Sequence, residues 1–196
     1  MDWLALELFD KGMVRIGRFI LTSGMESPFY IDLRRLWSYP SLARRVVEEA
    51  IARFDIRRFD AVVGVATGGI PFAAYVAALC GMPMAYVRSE KKEHGTRATV
   101  EGDVSGLKVV VLDDVATTGS SLERAVNALR EAGADPRAAI VIVDREQGAR
   151  ERLAKLGVEL YSLTTARRIF EVLRAYGRID EDTYTRILRY LESSCV

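Results

Sequence analysis

The hydrophobic pattern falls into two parts. Residues 3–11 carry Trp3, Leu4 and Leu8 at helical spacing, and Gly12 stops them. Residues 16–21 and 29–34 read as short strands, joined by the turn-rich run Ser23-Gly24-Met25-Glu26-Ser27-Pro28. Pro40 opens a helix to about Phe54 that puts Val46, Val47, Ala50 and Ile51 on its buried face.

From residue 60 short apolar runs alternate with helical segments. The pattern predicts strands at 61–65, 84–87, 108–112, 138–143 and 158–163. Helices are predicted at 71–80, 121–132 and 147–156, with two more near 165–176 and 181–192. Runs such as Val109-Val110-Val111-Leu112 are apolar on both faces, which calls for a parallel sheet between helix layers. Strand–helix alternation gives the same answer: an α/β chain with a doubly wound, mainly parallel sheet. No repeat, low-complexity tract or linker interrupts it. One segment, 88–106, fits neither period: it is charged and glycine-spotted between two apolar strands. Loops this long in a compact domain are usually functional or disordered.

Composition narrows the picture. The chain has 196 residues, 49% of them hydrophobic, enough for one domain with a sizeable core. A net charge of +1 argues against a general nucleic-acid binder. Cys80 and Cys195 have neither metal-ligand nor disulfide spacing. The acidic start, without a basic region before an apolar run, is no secretory signal. No apolar stretch approaches the ~18 residues of a membrane span. A cytoplasmic protein that binds neither nucleic acid nor membrane is expected. Asn127 and Gln147 are the only side-chain amides.

The chemistry concentrates after the strand 108–112. Asp113 and Asp114 stand at its C-terminal end, and Thr117-Thr118-Gly119-Ser120-Ser121 leads into a helix. Ligands of open α/β sheets bind outside the carboxyl ends of the strands. Backbone N–H groups, hydroxyls and a helix N-terminus suit a phosphate. Two adjacent carboxylates suit vicinal sugar hydroxyls, or a magnesium ion through water. Together these describe a ribose 5-phosphate site. A merely capped helix is the blander reading, but two acids ending a buried strand are costly unless used. The run Gly64-Val65-Ala66-Thr67-Gly68-Gly69 has P-loop glycine spacing, yet Ile70-Pro71 replaces the required Lys-Ser/Thr.

The stretch Asp113-Asp114-Val115-Ala116-Thr117-Thr118-Gly119-Ser120-Ser121 resembles the signature of type I phosphoribosyltransferases. Two features are similar to the orotate phosphoribosyltransferase family in particular. They are Phe19-Ile20-Leu21-Thr22-Ser23-Gly24 with Ser27-Pro28-Phe29-Tyr30-Ile31-Asp32, and Arg88-Ser89-Glu90-Lys91-Lys92-Glu93-His94-Gly95. The resemblance implies a single domain over 1–196, with a hood formed mainly by 1–35, C-terminal helices nearby and a core at about 40–165.

It also implies magnesium-dependent transfer of ribose 5-phosphate from phosphoribosyl diphosphate to orotate, giving orotidine 5′-phosphate and diphosphate. Thr117, Thr118, Gly119, Ser120 and Ser121 would hold the 5′-phosphate, and Val115 and Ala116 would also contact phosphoribosyl diphosphate. Asp113 and Asp114 would take the ribose hydroxyls. Arg88, Lys92 and His94 would come from a mobile loop of the neighbouring subunit, implying a homodimer with shared sites. Lys92 or His94 would donate a proton to the leaving group, Lys92 being favoured. Thr117 and Arg145 would contact orotate, since an arginine fork matches its carboxylate; a surface ion pair with Glu146 or Glu151 is the alternative for Arg145. A cis peptide is implied around Ala66-Thr67. The chain departs from some family members at Thr22, Gly68 and Ser89, where those have lysine.

Overall fold

The computed structural model describes residues 1–20, 26–89 and 99–193. The chain begins with helix α1 (Asp2–Asp10) and an antiparallel pair, β1 (Val14–Ile20) and β2 (Glu26–Ile31). Helix α2 (Pro40–Phe54) follows, with Pro40 in its first turn. Then come β3 (Ala61–Val65), α3 (Gly69–Cys80), β4 (Met84–Val87), β5 (Val100–Glu101), β6 (Lys108–Ala116), α4 (Ser120–Glu131) and β7 (Asp135–Asp144). Helix α5 (Ala149–Ala154), β8 (Glu159–Thr165), α6 (Ala166–Ala175) and α7 (Glu181–Ser193) complete it.

The main sheet has the order β5-β4-β3-β6-β7-β8, parallel throughout except for the antiparallel edge pair β4–β5. Residues of the central strands alternate between two cores, as a pleated strand requires. Val110 and Leu112 join one core with α1, α2, α3, α6, α7 and β2; Val109 and Val111 join the other with α4 and α5. The fold is therefore the expected doubly wound α/β type.

Several boundaries differ from the sequence reading. Strands β6 and β7 are longer than 108–112 and 138–143, because each continues the other's ladder past the apolar run. β1 and β2 lie earlier than 16–21 and 29–34, set by the pairing of Val14 with Ile31. The polar segment 88–106 contains the two-residue strand β5. α5 is shorter than 147–156, because Glu146 (φ 58°) and Gly148 (φ 97°) take left-handed conformations just before it. Among the described residues no helix is long and apolar enough to cross a membrane.

The β1–β2 pair is attached to the C-terminal helices through aromatic contacts. The buried ring of Phe29 in β2 lies 4.8 Å from Phe170 of α6 and 5.7 Å, edge-on, from Tyr190 of α7. Burying such rings contributes about 1.5–3 kcal/mol each.

Candidate active site

Strand β6 carries Asp113 and Asp114 inside its last residues rather than beyond its end, since Asp113 pairs with Val141 and Ala116 with Asp144. Strand alternation sends the two side chains to opposite faces. Asp114 faces the start of α3, where a Cβ on Gly68 would come within 2.4 Å of its carboxylate. The Asp114 N–H donates to Asp113 Oδ1 at 2.9 Å, and the Val115 N–H donates to Asp114 Oδ1 at 2.7 Å. Val115 N–H is thus occupied within the strand. Burial pushes both carboxyls above the ordinary aspartate range, and for Asp113 the charge of Asp114 adds to it. Such groups suit a ligand that brings hydroxyl donors.

The hood reaches the same place. Arg34 grips Asp32 side-on, Nε to Oδ1 at 2.8 Å and Nη2 to Oδ2 at 2.6 Å, holding that carboxyl below its usual range. Arg34 is close enough to Asp114 for their charges to interact.

The loop after β6 turns on Gly119 (φ 79°), which caps α4. A Cβ there would come within 2.9 Å of the Ala149 backbone, so glycine alone fits. Thr118 Oγ1 and Ser120 Oγ lie 2.9 Å apart at the helix N-terminus. Arg152 braces the loop from α5: its Nε donates to the Thr118 carbonyl at 2.8 Å and its Nη1 to Glu123 Oε2 at 2.6 Å. Thr117 to Ser121 therefore form a cradle of hydroxyls and amides whose partial charge favours an anion. Beside it, the Ala66–Thr67 peptide after β3 is cis, as the resemblance implied.

Arg145 follows β7, and its N–H donates to the Ala116 carbonyl at 2.8 Å, tying it to the cradle strand. It is 5% exposed, and its guanidinium stands 4.8 Å over the Phe29 ring. Burial lowers its pKa, while a hydrogen bond to Tyr190 works the other way. Nε and Nη2 have no hydrogen-bond partner. Burial sets Arg145 apart from a surface ion pair, and the Glu146 carboxylate accepts from the Arg167 N–H at 3.1 Å. A buried cation with an unpaired edge has the chemistry to take a planar anion.

Arg88 leaves β4 at the same sheet edge. Its N–H donates to the Thr99 carbonyl at 2.9 Å, and Nη1 lies 3.6 Å from Glu101 Oε1. Lys92, His94 and Thr22 lie outside the described residues. Asp113–Asp114, the cradle and Arg145 are thus brought together at one end of the sheet, with Arg88 at the end of the strand two places away. Sequence reasoning placed Phe29 and Asp32 only within the hood motif and gave no role to Arg34, Gln147, Arg152 or Tyr190. Gln147 stood out only as a rare amide, and no local pattern marks the others.

Comparison with known proteins agrees with this geometry. Residues 41–160 match the family described as the phosphoribosyl transferase domain. The chain is 46% identical over 191 residues to orotate phosphoribosyltransferase of Staphylothermus marinus, covering 97% of this chain and 94% of the relative. The crystal structure of orotate phosphoribosyltransferase from Aeropyrum pernix aligns with a TM-score of 0.80 at 42% identity, covering 90% of this chain and 99% of that one. The Mycobacterium tuberculosis orotate phosphoribosyltransferase in complex with 5-phospho-α-D-ribosyl 1-diphosphate aligns with a TM-score of 0.66 at 29% identity, over 86% of this chain and 97% of that one.

Proposed function

The chain belongs to the orotate phosphoribosyltransferase family, and on that premise we propose that it transfers ribose 5-phosphate from phosphoribosyl diphosphate to orotate in pyrimidine nucleotide synthesis. The observation that carries the assignment of the base is Arg145. Its buried Nε–Nη2 edge is unpaired, and its backbone is bonded to the strand that leads into the phosphate cradle. A carboxylate on the base supplies both missing acceptors together with a full negative charge, whereas uracil or a purine offers only neutral carbonyl and ring-nitrogen acceptors.

In this reading Thr117, Thr118, Gly119, Ser120 and Ser121 hold the 5′-phosphate, and Asp113 and Asp114 accept hydrogen bonds from the ribose hydroxyls. The bond from the anomeric carbon to the diphosphate oxygen breaks, its electron pair leaving with diphosphate. A ring nitrogen of orotate loses its N–H proton to solvent and forms the new bond with the electron pair so freed. Positive charge builds on the ribose and negative charge on the leaving group, so cations and exclusion of water lower the barrier. Arg88, Lys92 and His94 supply that charge across a homodimer interface, and Lys92 or His94 donates the proton.

Magnesium, when bound, neutralises the diphosphate. The adjacent carboxylates Asp113 and Asp114 fit an ion carried by the diphosphate and completed by water. The protein is expected to act in the cytoplasm.

The test mixes purified protein with phosphoribosyl diphosphate, magnesium and either orotate, uracil, adenine or xanthine, following loss of base absorbance. Turnover confined to orotate supports the reading. Turnover on a purine overturns the base assignment but leaves ribosyl transfer; no turnover on any base overturns both.

A further inference from the structure

An arginine offers two bidentate edges, the Nε–Nη2 side and the Nη1–Nη2 end, and a receptor for one planar ligand has to choose between them. The guanidinium of Arg145 lies over the Phe29 ring, and stacking alone does not decide which edge is free. The Tyr190 hydroxyl lies near enough to the guanidinium to interact with it, and Nε and Nη2 are buried without a hydrogen-bond partner. Tyr190 is itself held in place. Its ring meets Phe29 edge-on at 88°, and its hydroxyl accepts a long hydrogen bond of 3.5 Å from Gln147 Nε2. Gln147 is 8% exposed, and its Oε1 has no partner.

We propose that Tyr190 of α7, braced by Gln147, is a positioning residue for base specificity: it turns Arg145 so that the Nε–Nη2 edge meets the carboxylate of the base. The last helix of the chain is then part of the machinery that distinguishes orotate from bases without a carboxylate. This inference rests on the reading of Arg145 as the carboxylate receptor, and the experiment separates the two.

Steady-state kinetics of the full-length wild type, Y190F, Q147A and R145A, with melting curves for each, test it. Y190F keeps the ring against Phe29 and removes only the hydroxyl. It is expected to raise the KM for orotate about tenfold, the worth of one hydrogen bond to a charged group. The KM for phosphoribosyl diphosphate and the Tm should stay at wild-type values, and the preference for orotate over uracil should fall. Q147A loosens the brace without touching the ring contact, and should shift the orotate KM the same way by less. An unchanged orotate KM in Y190F, beside a raised one in R145A, overturns the inference and leaves the base site standing. Equal rises in both KM values also overturn it, because they mark a merely structural role. An unchanged orotate KM in R145A overturns the base-site reading and this inference with it.

Discussion

Gly68 stands so close to Asp114 that a Cβ at position 68 would overlap its carboxylate. The backbone of Gly68 is ordinary right-handed, φ −66° and ψ −34°, so the demand for glycine comes from the neighbour and not from strain. Some relatives by resemblance have lysine here; in this chain the carboxylate takes the space. G68A should displace Asp114 from its bond to Val115, costing about 1–3 kcal/mol of ribose-diphosphate binding. Isothermal titration with phosphoribosyl diphosphate should show affinity lower by about fivefold or more; an unchanged affinity would show that Asp114 can move freely.

Asp113 gives a prediction with a definite sign. Its folded pKa is raised by burial and then by Asp114, so the folded state binds protons more tightly than the unfolded chain. Stability from this group is present below the ordinary aspartate value, about 3.9, and is lost as pH rises through the raised folded value. D113N removes the penalty. Melting curves without ligand should match the wild type at the acid end. Above it the variant should become progressively more stable, then keep a constant margin, while its turnover collapses. A variant less stable than wild type at neutral pH would refute the assignment of burial as the dominant cause.

Arg152 ties the cradle to α5 through Thr118 and Glu123. R152A frees the Thr118 carbonyl and with it the loop that turns on Gly119. The arginine is partly exposed, so the loss is modest: about 1 kcal/mol, or about a fivefold rise in the KM for phosphoribosyl diphosphate. R152K should not rescue it, because one ammonium lacks the planar fork that spans both partners. An orotate KM that rises as much would place Arg152 outside the cradle.

If Lys92 reaches the neighbouring subunit's site, K92A and D113N homodimers are each nearly inactive for different reasons. Mixing and refolding them should restore partial activity, because some mixed dimers carry one intact site. Rate measurements on the mixture check this; no recovery in a sample shown to exchange subunits would confine each site to one chain.

What was legible in the sequence was what is local. β3 and β4 lie where apolar runs of four or five residues place them. β6 and β7 extend further because a ladder between neighbouring strands does not stop where side chains turn polar. β5 was invisible: two residues in a charged stretch pair with β4 by backbone alone. The cradle could be read because nine successive residues hold it. The Phe29–Arg145–Tyr190 group could not, since its members come from three distant elements and meet only through packing. Arg152 is hidden for the same reason, being one arginine among many on a helix.

The pairing of Ala116 with Asp144, and the bond from Arg145 to Ala116, have an evolutionary consequence. They make the sheet a ruler, its gauge fixed by the register of two adjacent central strands. The ribose end and the base end are measured off from it separately. Side chains at 29, 145 and 190 could change in a descendant while that register, and with it the spacing between the two ends of the ligand, is kept.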